Sequence, residues 1–361
     1  MFAFFSLTIA LSSCGSDESV GGDGIILEQV GTLGEGRDED GALYGLRRVV
    51  FDSKERAIVI AADNHDGMPF VLESNGNFVT VLGRPGEGPG ELVEPGAIHV
   101  DQQDSVFVWD SGTGRMSVFG PEHDFVRTYA VEAYAGGTAV RFATGDWLHG
   151  SNLNSGFRFL MIGSDGKPIC QWGDSVDYVS PRNGAPIRMP WRIGPGSAGT
   201  AWAIKSRFRL TALRFDSAGS QLADLRLTAD WFEPYNVLRQ TAPDQAPQPM
   251  VRAIHEDSAG LWIVGQTADP DWRSALGEPF RVEGSTAYRV EDWSRLLDTI
   301  IELRDPDTGE LRARYRDDRV ISAGSGGNRS LVSAWREDDL GFQIRDVYRV
   351  RYDPAPVESE E

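Results

Sequence analysis

Short apolar runs recur along the whole chain, separated by turns rich in glycine, proline, aspartate and asparagine. The stretch 100–129 shows the pattern most openly. Two apolar runs, Val106-Phe107-Val108-Trp109 and Met116-Ser117-Val118-Phe119, flank a tight turn at 110–115. A second turn at 120–124 leads into a third run at 125–129. Runs of this length bounded by turn formers read as β-strands. Those that are apolar without strict alternation read as strands buried on both faces. The repeating unit is therefore a short inner strand, a strongly apolar second strand, a third strand, a glycine-containing turn and an outer strand.

The unit predicts six copies. The first has strands at 47–51, 57–61, 70–73 and 78–82, and the second spans 97–129. The inner strands of the others fall at 140–143, 191–194, 251–255 and 319–322. Gly76 and Gly166 occupy the same turn two units apart, 90 residues in all, so one unit is about 45 residues. That is the size of a four-stranded propeller blade, and the expected fold is an all-β, six-bladed β-propeller. The sixth copy offers only three strands, which would leave an exposed edge. A spare strand at 25–30, at the other end of the chain, is expected to complete this closing blade. Insertions at 181–190, 228–250 and 269–297 interrupt the pattern. The largest is expected to cover the disc or to bind, with a helical turn at 294–297.

Composition narrows the partners. The 361 residues carry a formal net charge of −19, which a phosphate backbone would repel, so no nucleic acid is expected. The chain begins with an apolar run at 2–11, too short to span a bilayer but of the length of a signal-peptide core. The following Leu11-Ser12-Ser13-Cys14 resembles the lipobox of bacterial lipoproteins, in which the cysteine is lipidated. The resemblance implies a signal peptide at 1–13 and lipidation of Cys14. It also implies a lipid anchor in a bacterial cell envelope, and Gly15 in place of Asp points to the outer membrane. A flexible tether at 14–24, a propeller at 25–353 and an acidic, disordered tail at 354–361 follow. Cys170, the other cysteine, is expected to be a small buried thiol.

Between the first two units stands Gly83-Arg84-Pro85-Gly86-Glu87-Gly88-Pro89-Gly90-Glu91-Leu92. This decapeptide resembles a segment of bacterial six-bladed propeller lipoproteins, distant relatives of NHL-repeat proteins, and the likeness extends over about 25–352. It has no Gly-Lys-Ser/Thr ending, so it reads as a tight crossing between blades rather than a phosphate loop.

The sequence contains no nucleophile elbow, no His-Glu-x-x-His and no Cys/His cluster, so no catalytic residue, metal or cofactor is assigned. His99 and His255 fall at comparable places on inner strands. Five inner strands begin near an arginine: Arg47, Arg141, Arg192, Arg252 and Arg319. Either these tie blades together through acidic partners, or they converge at the channel mouth as a site for carboxylate, phosphate or sulfate. The expected function is a non-catalytic, lipid-anchored propeller binding a protein, peptide or anionic glycan on its top face. The alternative is a metal-dependent, lactonase- or lyase-like hydrolase with its site in the central channel, using Asp63, Asn64 and Asp66.

Overall fold

The computed structural model describes residues 20–22, 24–34, 43, 46–61, 65–132, 138–150, 157–174, 178–179, 186–187, 191–239, 241–282, 285–323, 327, 330–337 and 343–354. These form a six-bladed β-propeller. Blade one consists of Leu46–Phe51, Ala57–Ala61, Phe70–Leu72 and Phe78–Val81, taken from the channel outward. Blade two is Pro95–Val100, Val106–Asp110, Arg115–Phe119 and Phe125–Ala130. Blade three is Ala139–Arg141, Trp147–Gly150, Phe157–Ile162 and Pro168–Asp174. Blade four is Trp191–Pro195, Ala201–Lys205, Thr211–Phe215 and Gln221–Arg226. Blade five is Met250–Glu256, Leu261–Ala268, Leu297–Arg304 and Leu311–Asp317.

Blade six closes the ring with both ends of the chain. Ile321–Ala323, Leu331–Glu337 and Gln343–Tyr352 supply three strands, and Ile25–Leu33 pairs antiparallel with the last as the outer one. The expectation of an N-terminal closing strand therefore holds. Val20–Gly22 adds a fifth strand by folding back on Ile25–Leu27, in the stretch expected to be tether. The signal peptide at 1–13, Cys14 and the tail beyond residue 354 lie outside the described residues.

Burial on both faces explains the missing alternation. All of Ala57–Ala61 and all of Leu297–Arg304 are buried, because each blade is sandwiched between two others. Each of the six interfaces holds its own apolar cluster. Ile58 and Ile60 of blade one meet Ile98 and Val106 of blade two, and Leu33 and Val347 of blade six meet Phe51 and Val59 of blade one. Close packing at the axis demands small residues. A Cβ on Gly194 would stand 1.5 Å from the carbonyl oxygen of Ile254 on the next inner strand. Outer strands lack a neighbour on one side, so Cys170, on the outer strand of blade three, is exposed and not the buried thiol expected.

The two longer insertions pack as structure, and the one expected at 181–190 lies outside the described residues but for 186–187. Residues 269–297 form a 3-10 turn at Trp272–Ala275 and a hairpin of Leu276–Val282 with Ser285–Val290. The hairpin's base is held by Trp272, Ala275, Leu296 and Leu297, and the expected helical turn is closed by Leu297 N–H to Trp293 O. The insertion after blade four sends Trp231 over Gly265 and donates its indole N–H to buried Glu302 at 2.8 Å. In the decapeptide, Arg84–Pro85 pairs parallel with Glu91–Leu92, and Glu91 accepts from Gly88 N–H and Arg84. Hydrogen bonding holds the Glu91 carboxyl below its usual range, Gly88 N–H contributing most. All its charge is spent within the loop, as a crossing requires.

Candidate anion site at the channel mouth

Each inner strand starts at one mouth of the central channel, here the top, and ends at the other. A shared turn marks the lower end. Asp52, Asp101, Phe142 and Gly196 each donate a backbone N–H to the carbonyl four residues on. Counting back four residues along each strand reaches Arg48, Ala97, Thr138 and Arg192. Equivalent positions on neighbouring blades thus face the upper channel together.

The result is a recess of about 310 Å³ at the top mouth. Arg48, Arg192, Arg252 and Arg345 line it, and no aspartate or glutamate stands among its lining residues. Gln266 and Ser333 add polar groups, and Ile193, Ile254 and Val320 add apolar wall. Arg252 donates from Nε to Gln266 Oε1 at 2.6 Å, a neutral partner that leaves its charge uncompensated. The Arg192 Nε is buried without a hydrogen-bond partner. Burial pushes the Arg192 guanidinium down to about 10, and repulsion from Arg252, Arg48 and Arg207 adds to the effect. Burial alone takes Arg345 down to about 10, and burial followed by Arg207 lowers Arg252. All three remain cationic at neutral pH. Arg48 and Arg252 reach solvent while Arg192 and Arg345 are half-buried, and like charges gathered and partly withdrawn from water are costly unless an anion completes them.

The five arginines expected from sequence divide between places. Arg192 and Arg252 meet in the recess. Arg47 occupies the extra position of a β-bulge between Leu46 and Arg48, and its side chain lies outside the described residues. Its neighbour Arg48 lines the recess instead. Arg141 stands one residue before the turn marker of its blade, at the opposite mouth. There it pairs with Asp101 at 2.9 Å and lies over the Phe107 ring. Arg319 precedes its inner strand, which starts only at Ile321. It pairs with Asp317 at 2.7 Å and donates to Tyr348 Oη, in a separate groove between the outer strands of blades five and six. Arg345 was missed because it sits on a third strand, reached by no inner-strand pattern.

The lower mouth is larger, about 450 Å³, and mixes His99, His255, Asp101, Asp104, Glu256 and Asp257 with Arg141. Its acids are committed. Asp101 accepts Gln103 and Ser105 N–H, and Asp104 accepts the Ser53 hydroxyl. Glu256 accepts the Trp202 indole at 2.7 Å, and Asp257 accepts Ala259 N–H. The charge there is spent in turns, in contrast with the upper arginines.

Among the described residues no group of three or more His, Cys, Asp or Glu side chains is placed to hold a metal ion. Of the metal ligands considered from sequence, Asp63 and Asn64 lie outside the described residues, and Asp66 is exposed on a 3-10 turn.

Comparison with known proteins bears on the fold. The family model DUF5128, described as a 6-bladed beta-propeller, matches residues 42–152. No curated protein matches the chain. A protein of Bacteroides fragilis, described as exported, superposes with a TM-score of 0.56 at 12% identity, covering 92% of this chain and 97% of its own. Virginiamycin B lyase of Staphylococcus aureus gives 0.45 at 11% identity, covering 90% and 99%. A protein described as a gluconolactonase gives 0.44 at 9% identity, covering 89% and 93%. The family model and the Bacteroides fragilis superposition bear on the architecture: the chain is similar to six-bladed β-propellers.

Proposed function

We propose that this chain is a non-catalytic binding propeller that takes the carboxylate, phosphate or sulfate group of an anionic protein, peptide or glycan ligand in the arginine recess of its top face. One observation carries the proposal: four guanidinium groups meet in a single recess whose described lining has no acid. Arginines that only tied blades together would have partners like those of Arg141 and Arg319. Guanidinium forks also match the planar or tetrahedral oxygens of such anions.

The test exploits the cost of unpaired charge. An Arg192→Met/Arg252→Met variant keeps most of the apolar stems and removes two charges. In the absence of added anions it is expected to melt higher than the parent. Phosphate or sulfate in the millimolar range is expected to raise the melting temperature of the parent and leave the variant unmoved. A variant that melts lower than the parent, with neither protein responding to any anion, would assign the arginines to the scaffold and sink the proposal.

The proposal also sets the protein in a bacterial cell envelope, held by lipid at Cys14. Leu11-Ser12-Ser13-Cys14 supports this, as does the likeness in fold to a protein described as exported. The N-terminal strand lies at the outer edge of blade six, so an anchor preceding it would leave from the rim and keep the mouth open. Metabolic labelling with a radioactive fatty acid is expected to tag the full chain and not its Cys14→Ser variant. Equal labelling of both would remove the anchor.

A further inference from the structure

Beneath the arginine recess a second cavity of about 70 Å³ opens between blades two and three. It shares Arg48, Thr138 and Arg192 with the recess above, so the two meet at the guanidinium groups. One wall is largely aromatic. Phe107, Trp109, Met116 and Trp147 line it, and Phe107 and Trp147 meet edge to face at 5.0 Å. Phe107, Met116 and Trp147 are buried, so the wall is fixed by packing. His99, Thr138 and His149 add polar groups, and His149 is neutral at any physiological pH, because complete burial takes its pKa down to about 3.

The origin of this cavity lies in the series Arg48, Ala97, Thr138, Arg192. Blades one and four carry arginine at the shared position, while blades two and three carry short side chains. The missing stems leave the gap, and the two flanking arginines guard its entrance. A site built this way has a cationic rim and an aromatic wall.

We infer that the ligand carries a small apolar substituent, of two to three carbons, next to its anionic group, and that the side pocket holds it. This rests on the anion site proposed above and names the ligand's shape there. Size sets the limit: a dry cavity of about 150 Å³ accepts benzene, so one of 70 Å³ takes a group the size of acetyl or propyl and no intact ring. Burying each carbon in such a pocket strengthens binding about fourfold.

A phosphonate series tests the inference, with inorganic phosphate as the bare head group. Isothermal titration of the full chain is expected to show affinity rising about fourfold per carbon from methyl- to propylphosphonate, and falling back for phenylphosphonate. An Ala97→Leu variant fills the pocket and leaves all four arginines. It is expected to bind phosphate as the parent does, which shows that it is folded, and to lose the gain from alkyl groups. Ala97→Val is expected to lose part of it. Phosphate binding without any alkyl gain, or a gain that survives Ala97→Leu, would overturn the side pocket and leave the anion site standing. Binding of neither phosphate nor any phosphonate would overturn both.

Discussion

Two aspartates stand where the large insertion leaves and rejoins blade five. Asp269 follows the second strand, and Asp298 lies at the start of the third. Burial pushes Asp298 up to about 6, Arg316 opposing at 2.6 Å and the neighbouring Asp269 adding to the rise. The folded chain therefore binds this proton more tightly than the unfolded chain does. Protonated Asp298 stabilises the fold below about pH 4, and that contribution is lost as pH rises through about 6. Replacing Asp269 by Asn removes the like charge but keeps an acceptor for Asp271 N–H. The variant is expected to melt about 1–2 °C above the parent at pH 7.5, and to match it at pH 4.5. An equal difference at both pH values would show that the two carboxylates do not sense each other. Nothing in the sequence announces this pair, because 29 residues separate the two. The arginine mouth lay between legible and hidden for a related reason. A pattern of arginines at strand starts found Arg192 and Arg252, but a one-residue bulge placed Arg48 where Arg47 was expected. Bulges change which side chain faces the channel, and periodicity cannot see them.

At the scale of elements, strands were legible because they are apolar on both faces, and turns because they carry glycine and aspartate. Boundaries were less so. The inner strand of blade six was expected from Arg319 and begins at Ile321, and that shift alone moved Arg319 from channel to rim. Insertions could be located by their break in the repeat, but their packing could not. Trp231 reaches Glu302 across 71 residues, and Glu302 also holds Arg304 at 2.7 Å and Arg314 at 2.9 Å. This fully buried carboxylate is compensated on every side, which is what allows it to sit inside a blade. The same accounting separates the two mouths of the channel. Below, Asp101, Glu256 and Asp257 complete turns and pairs. Above, the arginines leave charge over, and the proposed anion site rests on that surplus.

The whole disc depends on a bond between its two ends. Ile25–Leu33 runs antiparallel to Gln343–Tyr352, so the first long strand seals the last blade. Its side chains are also shared beyond that blade: Ile25 and Leu27 pack toward blade five, and Leu33 packs toward blade one. All three are fully buried or nearly so. Burying three such side chains is worth about 5–9 kcal/mol, comparable with the whole stability of a typical domain. A chain starting at Gly34 would lose that contribution and expose the edge of a ten-residue strand. It is expected to aggregate or to melt more than 10 °C below the full chain, a drop on the scale of the lost burial. A chain starting at Gly24 keeps the closing strand and is expected to melt within about 2 °C of the full one, since Val20–Gly22 pairs only with that strand. A synthetic peptide of residues 25–33 supplied in trans is expected to restore the melt of the shortened chain, because an open edge accepts a strand through backbone hydrogen bonds. If the chain starting at Gly34 melted like the parent without the peptide, the five remaining blades and three strands would suffice, and closure would be decoration. The register argues otherwise, since the strand places side chains in both neighbouring interfaces.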